Sequence, residues 1–383
     1  MGLPSEARRW QGFRGAYDSI QIHRTLCTWH ITDFGNRFGF GRIKAPNYKL
    51  KYKHSYTLDT MQRFFDLLIT IGIIITALPA VILLYHQKKD SKSWEYGHKK
   101  ITATISVLLF LGTAILVYGS FIEPHFLITN QVSINLENLD QKITIVLVAD
   151  LQVGPYRHID SINRIVNRIL SLKPDMVLIA GDNVDNSLPI EKELLNLNPL
   201  KKLTEQIPTF AVHGNHEYGI GGGKSVIDSK YRIANVSKET KEKMESFGIH
   251  YLVNELETIS VRGQDIDIFG GDSVWAGNLD WQMLKNASST TPTIVLIHNP
   301  VAALDNLSEY PLDLMLAGHT HGGQIRLPFI GPVGRVDEII PAEWYQGLHD
   351  ANNFKLFVTS GTGESGTRAR LFNPPEVVLL TIF

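Results

Sequence analysis

The chain has 383 residues, a formal net charge of −1 and 44% hydrophobic residues. The nearly neutral charge lacks the basic footprint of a dedicated nucleic-acid enzyme, so we expect no nucleic-acid partner. Its only cysteine, Cys27, excludes an intrachain disulfide, and its place outside the motifs described below excludes cysteine metal sites and thiol catalysis.

Residues 1–62 form a basic segment that shows no clear periodicity. The segment carries ten Lys or Arg residues against four Asp or Glu residues. We predict that this first region is poorly ordered and that it can contact anionic lipid head groups.

Residues 63–122 contain two hydrophobic spans, Leu67 to Tyr85 and Ile101 to Ile122. Neither span contains a charged residue, and both reach the length of about 20 residues that a hydrocarbon core requires. They come as a pair and lie far from Met1, which argues against a cleavable signal peptide. The pattern predicts a transmembrane helical hairpin with a lysine-rich loop, and therefore an integral membrane protein in contact with a lipid bilayer.

The charges around the spans bear on the orientation of this hairpin. The loop between the spans holds Lys88, Lys89, Lys92, Lys99 and Lys100. By the positive-inside rule this loop is cytoplasmic and the domain that follows is extracytoplasmic. Basic residues before the first span oppose this orientation, namely Lys49, Lys51, Lys53 and Arg63. A start at Met61 would remove most of them, so we favour an extracytoplasmic domain.

Residues 123–383 are predicted to form one α/β domain. Its apolar runs are typical of buried strands: Ile143 to Val148, Met176 to Ala180, Phe210 to Val212, Ile294 to Ile297, Leu314 to Ala317, and Glu376 to Phe383 as the last strand. Amphipathic stretches such as Ile159 to Leu172 alternate with these runs and show helical spacing.

A polar motif follows each of the first five runs. The five motifs are Asp150-Leu151-Gln152, Gly181-Asp182-Asn183-Val184-Asp185, Gly214-Asn215-His216-Glu217, His298-Asn299 and Gly318-His319-Thr320-His321. Each alone is also compatible with a turn, a helix cap or a buried histidine. Because ligands bind outside the carboxyl ends of strands in open α/β sheets, the ordered set predicts one site built from five loops. Its oxygen and nitrogen donors suit a pair of divalent metals.

The ordered motifs resemble those of the calcineurin-like metallophosphoesterases, whose pattern is Asp-x-His, Gly-Asp-x-x-Asp, Gly-Asn-His-Asp/Glu, a lone His and Gly-His-x-His. The resemblance covers roughly residues 140–383. The segments His298-Asn299-Pro300, Gly318 to Gln324 and Arg370 to Glu376 also look like a bacterial-type branch that often carries N-terminal membrane segments. The resemblance implies a four-layer sandwich of two mixed β-sheets flanked by helices. It also implies hydrolysis of a phosphomonoester, a phosphodiester or a diphosphate by a hydroxide that bridges two metals.

The resemblance implies two overlapping sets of metal ligands. One ion would be held by Asp150, Gln152, Asp182 and His321, and the second by Asp182, Asn215, His298 and His319. Asp182 would bridge the two ions. His216 would be a catalytic residue rather than a ligand, since imidazole beside the leaving group can donate a proton near neutral pH.

The chain departs from the family pattern at Gln152, where most relatives have His. An amide oxygen is a harder ligand than imidazole, so we predict that Mn²⁺ is favoured, with Zn²⁺ or Fe as the other candidates. Two alternatives stay open: a non-catalytic metal-binding scaffold with a degenerate site, and a structural membrane protein in which the domain is an appendage.

Two further features could affect substrate choice. The segment from Tyr218 to Phe247 is rich in glycine and then charged, which is compatible with a loop and helix over the site or with an ordinary surface connection. Four arginines are candidates to hold substrate phosphates, although exposed loop arginines are usually only solvated: Arg157, Arg326, Arg368 and Arg370. A membrane anchor also favours a lipid or envelope-related substrate by proximity.

Overall fold

The structure of the protein is a computed structural model that describes residues 55–136 and 138–383. The predicted basic segment therefore lies outside the described residues as far as residue 54. The described chain begins with a helical hairpin made of α1 (Ser55–Lys89), α2 (Trp94–Gly97) and α3 (Lys99–Val117). A π-turn (Tyr118–Ile122) and a 3₁₀ turn (Glu123–His125) continue α3 toward the domain.

The two long helices pack against each other through small and hydroxyl residues. The hydroxyls of Thr76 and Thr113 lie 2.7 Å apart, and the Ser106 hydroxyl donates to the Ala80 carbonyl at 3.4 Å. The segments Phe64–Lys89 and Lys99–His125 are long and apolar enough to cross a membrane. In the most apolar 18 residues of each segment, only 6% and 17% are buried. Most of their apolar surface therefore faces outward, unlike that of a core helix in a globular protein.

The domain after the hairpin contains two six-stranded mixed sheets. The strands are β1 (Ile128–Ile134), β2 (Ile143–Val148), β3 (Met176–Ile179), β4 (Thr209–Ala211), β5 (His250–Tyr251), β6 (Glu255–Val261), β7 (Gln264–Gly270), β8 (Thr293–Leu296), β9 (Leu314–Ala317), β10 (Arg326–Leu327), β11 (Gly331–Pro332), β12 (Gly347–Ala351), β13 (Phe354–Val358) and β14 (Glu376–Ile382). The first sheet has the order β1-β14-β2-β3-β4-β5, and the second has the order β12-β13-β9-β8-β7-β6. Strands β10 and β11 form a separate antiparallel hairpin.

Parallel pairing in the middle of each sheet brings strand ends together. In the first sheet β2, β3 and β4 are parallel, and in the second β7, β8, β9 and β13 are parallel. The antiparallel pairs are β14 with β2, β6 with β7 and β12 with β13. The carboxyl ends of the central strands therefore lie at one edge of each sheet, which is where the polar motifs begin.

Every second side chain of the central strands points between the two sheets, and these side chains build the core of the sandwich. Ile145, Leu147 and Leu178 of the first sheet face Ile294 and Leu316 of the second. The opposite face of the first sheet is covered by α4 (Ile159–Leu172), whose apolar residues recur at helical spacing, and shorter helices lie nearby. Since apolar side chains cover both faces, the strands read as continuous apolar runs rather than alternating ones.

The outer layers differ between the two sheets. Beside the first sheet lie α5 (Ile190–Asn196), α6 (Lys201–Thr204) and α8 (Ser237–Glu245), whereas α7 (Gly223–Ile227) belongs to the segment after the third motif. Beside the second sheet the covering elements are 3₁₀ turns, such as Gln282–Asn286 and Pro300–Leu304, whose apolar residues pack on its outer face. The predicted α/β sandwich of two mixed sheets flanked by helices is confirmed, and each predicted strand is found within one residue of its expected bounds.

Candidate dinuclear metal site

The predicted ligands converge at the carboxyl ends of the central strands. Asp150 follows β2, Asp182 follows β3, and His298 follows β8. These three buried side chains offer donor atoms that all lie within 4.8 Å of one another. The site therefore joins the two sheets, because β2 and β3 belong to the first and β8 to the second.

The backbone at the site adopts a left-handed conformation that residues other than glycine rarely take. Positive φ angles occur at Asp150 (54°), Gln152 (47°), Asp182 (51°), His319 (72°) and His321 (48°). Left-handed backbone costs a non-glycine residue on the order of 1–3 kcal/mol and tends to persist at functional sites. Five of the seven predicted ligands thus share a strained geometry that turns the chain sharply at a strand end.

Glycines allow the neighbouring chain segments to approach the carboxylates. A Cβ on Gly214 would lie 2.0 Å from Asp182 Oδ1, and a Cβ on Gly361 would lie 2.5 Å from Asp150 Oδ2. Gly361 also has a φ of +69°. Both positions therefore need glycine for space, and Gly361 needs it for backbone conformation as well.

Three of the predicted ligands are oriented by a second polar atom. His298 Nδ1 lies 2.7 Å from the Ala180 carbonyl, and His321 Nδ1 lies 3.2 Å from the Gly363 carbonyl. The Asn215 amide nitrogen donates to the Ile220 carbonyl at 2.5 Å. These contacts direct the Nε2 atoms of the two histidines and the Oδ1 atom of the asparagine toward the centre, which is the orientation that metal ligands need.

The atoms directed inward fit divalent metals. Within the described part of the chain, Gln152 Oε1 and His319 Nε2 are buried and make no hydrogen bond, and His298 Nε2 faces the Asp182 carboxylate at 3.1 Å. A buried acceptor without a partner costs about 1–3 kcal/mol, so two of them beside a buried carboxylate favour a bound cation. Oxygen and imidazole donors of this kind suit Mn²⁺, Zn²⁺ and Fe.

The electrostatics of the cluster also favour a cation. Burial opposes protonation of His298, but the Asp182 carboxylate, whose Oδ2 lies 3.1 Å from Nε2, more than offsets it and raises the pKa of His298 to about 9. Burial raises the pKa of Asp150 to about 7. Burial also lowers the pKa of His319 well below its usual value and that of His321 to about 3, so both imidazoles are neutral and can coordinate.

His216 lies beside the cluster rather than within it. Its backbone N–H donates to Asp182 Oδ1 at 2.9 Å, while its Nδ1 lies 2.9 Å from the Asp185 carbonyl oxygen. Its Nε2 is 3.9 Å from Asp182 Oδ2 and 3.4 Å from the Ser365 hydroxyl. The imidazole is therefore held at the edge of the site with one nitrogen toward the carboxylates.

Several residues around the site were assigned no role from the sequence. The Glu217 carboxylate accepts backbone hydrogen bonds from Gly214 at 2.8 Å and Asn183 at 2.7 Å, which ties two motif loops together. Trp275 meets His319 edge to face, with ring centroids 4.3 Å apart. Trp275 and Ser365 lie outside the five motifs, so no sequence spacing pointed to them.

The four candidate arginines are engaged in contacts within the protein. Arg157 forms a two-point ion pair with Glu364, and Arg370 is buried among backbone carbonyls. Arg368 pairs with Asp66 of α1 at 3.1 Å. Arg326 donates to the Gly322 carbonyl at 2.8 Å. These contacts favour structural roles over phosphate binding.

The segment after the third motif packs against the site. The Ile220 carbonyl holds Asn215, and the Asn186 side-chain amide donates to the Ala234 carbonyl at 2.7 Å. The predicted charged helix is observed as α8. Its effect on substrate choice stays a prediction.

Two mixed sheets with this cluster at their joined edges define a metal-dependent hydrolase. A family model for calcineurin-like phosphoesterases matches residues 143–323. The chain is 30% identical over 239 residues to phosphodiesterase YaeI of Escherichia coli, and the match covers 62% of this chain and 81% of YaeI. It is 28% identical over 270 residues to the uncharacterized metallophosphoesterase YkuE of Bacillus subtilis, and this match covers 69% of this chain and 88% of YkuE. The structure of a dimetal phosphatase from Danio rerio is a more remote likeness, with 13% sequence identity and a TM-score of 0.33; the match covers 57% of this chain and 88% of the phosphatase chain.

The chain therefore belongs to the calcineurin-like phosphoesterases and is a phosphoric ester hydrolase that binds divalent metal. This confirms the family and the enzyme class predicted from the motifs.

Proposed function

We propose that the protein is a membrane-anchored dinuclear phosphoesterase in which Asp182 serves both metals. One ion would be held by Asp182 with Asp150, Gln152 and His321, and the other by Asp182 with Asn215, His298 and His319. The observation that carries this proposal is the cluster of buried donor atoms from both sheets, in which Gln152 Oε1 and His319 Nε2 make no hydrogen bond. When bound, the two cations would lower the pKa of a water molecule and neutralise charge on the phosphoryl group.

The chain's own residues then have distinct tasks. His216, held through Nδ1 by the Asp185 carbonyl, presents Nε2 to the leaving group and donates a proton or stabilises its charge. Glu217 fixes the loop that carries His216 by accepting the Gly214 and Asn183 N–H groups. Trp275 forms an apolar wall beside His319 and shields that side of the site from water.

The proposal is tested with metal-depleted full-length protein in detergent. After reconstitution with Mn²⁺ or Zn²⁺, bound metal is measured by mass spectrometry. Turnover is then measured with bis-p-nitrophenyl phosphate and with p-nitrophenyl phosphate as substrates. We expect two ions per chain, better turnover with Mn²⁺, and loss of both metal and turnover in Asp182→Asn. The matched control is Asp265→Asn, which removes an exposed carboxylate.

His216→Ala separates the role of this residue from metal binding. We expect it to keep both ions and to lose turnover by about 10²–10⁴-fold, the usual contribution of general acid–base catalysis. His250→Ala, at an exposed histidine, is the control. Wild-type protein that binds metal and hydrolyses neither substrate would instead support the non-catalytic scaffold.

Membrane anchoring is the second part of the proposal, and it rests on the helical hairpin. The outward apolar surface of α1 and α3 needs a lipid environment, and the antiparallel packing places the lysine-rich loop opposite the catalytic domain. By the positive-inside rule the loop is cytoplasmic and the domain extracytoplasmic, close to a lipid or envelope-related phosphoester.

The orientation is testable with one engineered cysteine. In a Cys27→Ser background, Leu195→Cys places a thiol at an exposed position of the catalytic domain. A membrane-impermeant maleimide should label it in intact cells, whereas labelling only after lysis would reverse the orientation.

A further inference from the structure

A short hairpin of the catalytic domain exposes a contiguous apolar surface. Strands β10 and β11 pair Arg326 with Pro332, and residues 327–334 contain no charged side chain. At the tip Phe329 is fully exposed and Ile330 is 74% exposed, while Val333 is 59% exposed. We call residues 327–333 the apolar hairpin. Large apolar residues grouped at a tip in this way mark an interaction surface rather than ordinary solvent-facing chain.

The apolar hairpin is linked to the end of the second long helix through the segment 370–373. Leu371 exchanges backbone hydrogen bonds with the base of the hairpin, donating to the Gln324 carbonyl and accepting from Arg326 N–H. The next residue, Phe372, donates its N–H to the Glu123 carboxylate at 2.9 Å. Gly119 accepts the N–H of Arg370 at 2.9 Å. The segment 370–373 therefore bridges helix and hairpin, and its Phe372 side chain is also exposed.

The same hairpin lies close in sequence and space to the metal site. Its base begins five residues after His321, and the Arg326 guanidinium holds the Gly322 carbonyl. The Asn373 side-chain amide donates to the His321 carbonyl at 2.6 Å. A Cβ on Gly323 would lie 2.3 Å from the Pro332 Cβ, so the hairpin packs directly on the loop that carries the ligand.

A second feature at the helix end has a character typical of a membrane interface. A recess of about 660 Å³ is lined by Tyr118, Phe126, Arg164 and Arg168, among other residues. Aromatic side chains and arginines together suit the head-group region of an anionic bilayer. The recess and the apolar hairpin both adjoin the end of the same helix, so both lie where the bilayer surface meets the domain.

We propose that the apolar hairpin inserts into the bilayer interface beside the membrane helices and presents the metal site to phosphoesters carried by lipids in that bilayer. This inference rests on the membrane anchor in the proposed function and specifies the class of its substrate. The occupant is the bilayer because the hairpin continues the surface at which the helices leave the membrane.

Insertion is measured with the full-length protein in nanodiscs of phosphatidylcholine and phosphatidylglycerol. In the Cys27→Ser background, Phe329→Cys carries an environment-sensitive fluorophore, and Leu195→Cys, at an exposed apolar residue of α5, carries the same label as the matched control. We expect blue-shifted emission and strong quenching by nitroxide lipids at residue 329, and quenching by aqueous iodide at residue 195.

Two outcomes overturn the proposal. Iodide quenching at residue 329 equal to that at residue 195 would place the hairpin in water. A label at residue 329 that is protected from iodide but unaffected by nitroxide lipids would place it against a second protein chain. Neither reading depends on catalysis, so this test stands if the enzyme proves inactive.

Delivery of a lipid substrate is tested with two probes that share a leaving group. The ratio of turnover on a phosphatidyl-p-nitrophenol in nanodiscs to turnover on soluble bis-p-nitrophenyl phosphate should fall about tenfold in Phe329→Ser, as expected for losing the burial of a large apolar side chain. Leu195→Ser should keep the wild-type ratio. An unchanged ratio in Phe329→Ser overturns the delivery role, whereas absence of turnover on both probes in wild-type protein contradicts the proposed function itself.

Discussion

The buried ion pair between Arg157 and Glu364 gives the sharpest test of how this domain is held together. The guanidinium bonds both carboxylate oxygens, with Nε at 2.9 Å from Oε2, and also donates to the Pro124 carbonyl at 2.8 Å. The two side chains are only 7% and 2% exposed. Arg157→Met removes the guanidinium but keeps most of the apolar volume, and so leaves the carboxylate buried without its main partner.

The expected cost follows from that burial. Removing one partner of a buried pair costs about 3–5 kcal/mol because the other charge stays desolvated. Arg370, whose Nε lies 3.8 Å from Glu364, offsets part of this, so we expect the lower end of the range. For a domain of this size, a loss of about 3 kcal/mol lowers the melting temperature by about 6–12 °C.

The assay is thermal unfolding of the full-length protein in detergent, followed by tryptophan fluorescence, together with KM for bis-p-nitrophenyl phosphate. Arg326→Met is the matched control, since that half-buried arginine makes one bond to the Gly322 carbonyl and should lose no more than about 1 kcal/mol. A melting temperature unchanged in Arg157→Met, with a raised KM, would refute the structural role and restore the phosphate-binding interpretation.

Three further perturbations have defined outcomes. Gln152→His should increase affinity for Zn²⁺ relative to Mn²⁺ by about tenfold, measured by competition, because imidazole is the softer ligand; an unchanged ratio would mean that residue 152 does not coordinate. Burial acts to raise the pKa of Asp175, but hydrogen bonds from a neighbouring threonine and from Arg262 outweigh it and lower the pKa. Its stabilisation is therefore fully present above the unfolded pKa of about 3.9 and is lost as the pH falls through the lower folded pKa. Asp175→Asn should cost about 1 kcal/mol at pH 7 by chemical denaturation, and this difference should shrink as the pH is lowered below the unfolded pKa. Gly361→Ala should lower the number of metal ions bound per chain while changing the melting temperature little, since the added Cβ would meet Asp150 Oδ2 at 2.5 Å. Full metal occupancy in this variant would contradict the close approach.

Much of the fold was determined by the sequence alone. The apolar runs such as Ile143–Val148 and Leu314–Ala317 predicted strands because a sheet covered on both faces leaves an uninterrupted apolar pattern. The stretch Ile159–Leu172 predicted α4 because one helix face must cover the sheet. The order of the polar motifs predicted a common site, since the carboxyl ends of parallel strands meet at one edge.

The tertiary structure decided what each polar group does. In the sequence Arg157 and Arg370 were candidates either to hold phosphate or to be merely solvated, yet their partners, such as Glu364 and the Gly363 carbonyl, are reached only through the fold. Trp275 and Ser365 reach the site from loops without a motif. The apolar hairpin, too, gains its proposed role only from its link to the end of α3. Local sequence patterns predict strands and helices because the period of the apolar residues reflects which face is buried. Long-range contacts depend on how the fold brings distant loops together, and the spacing of residues along the chain does not record this.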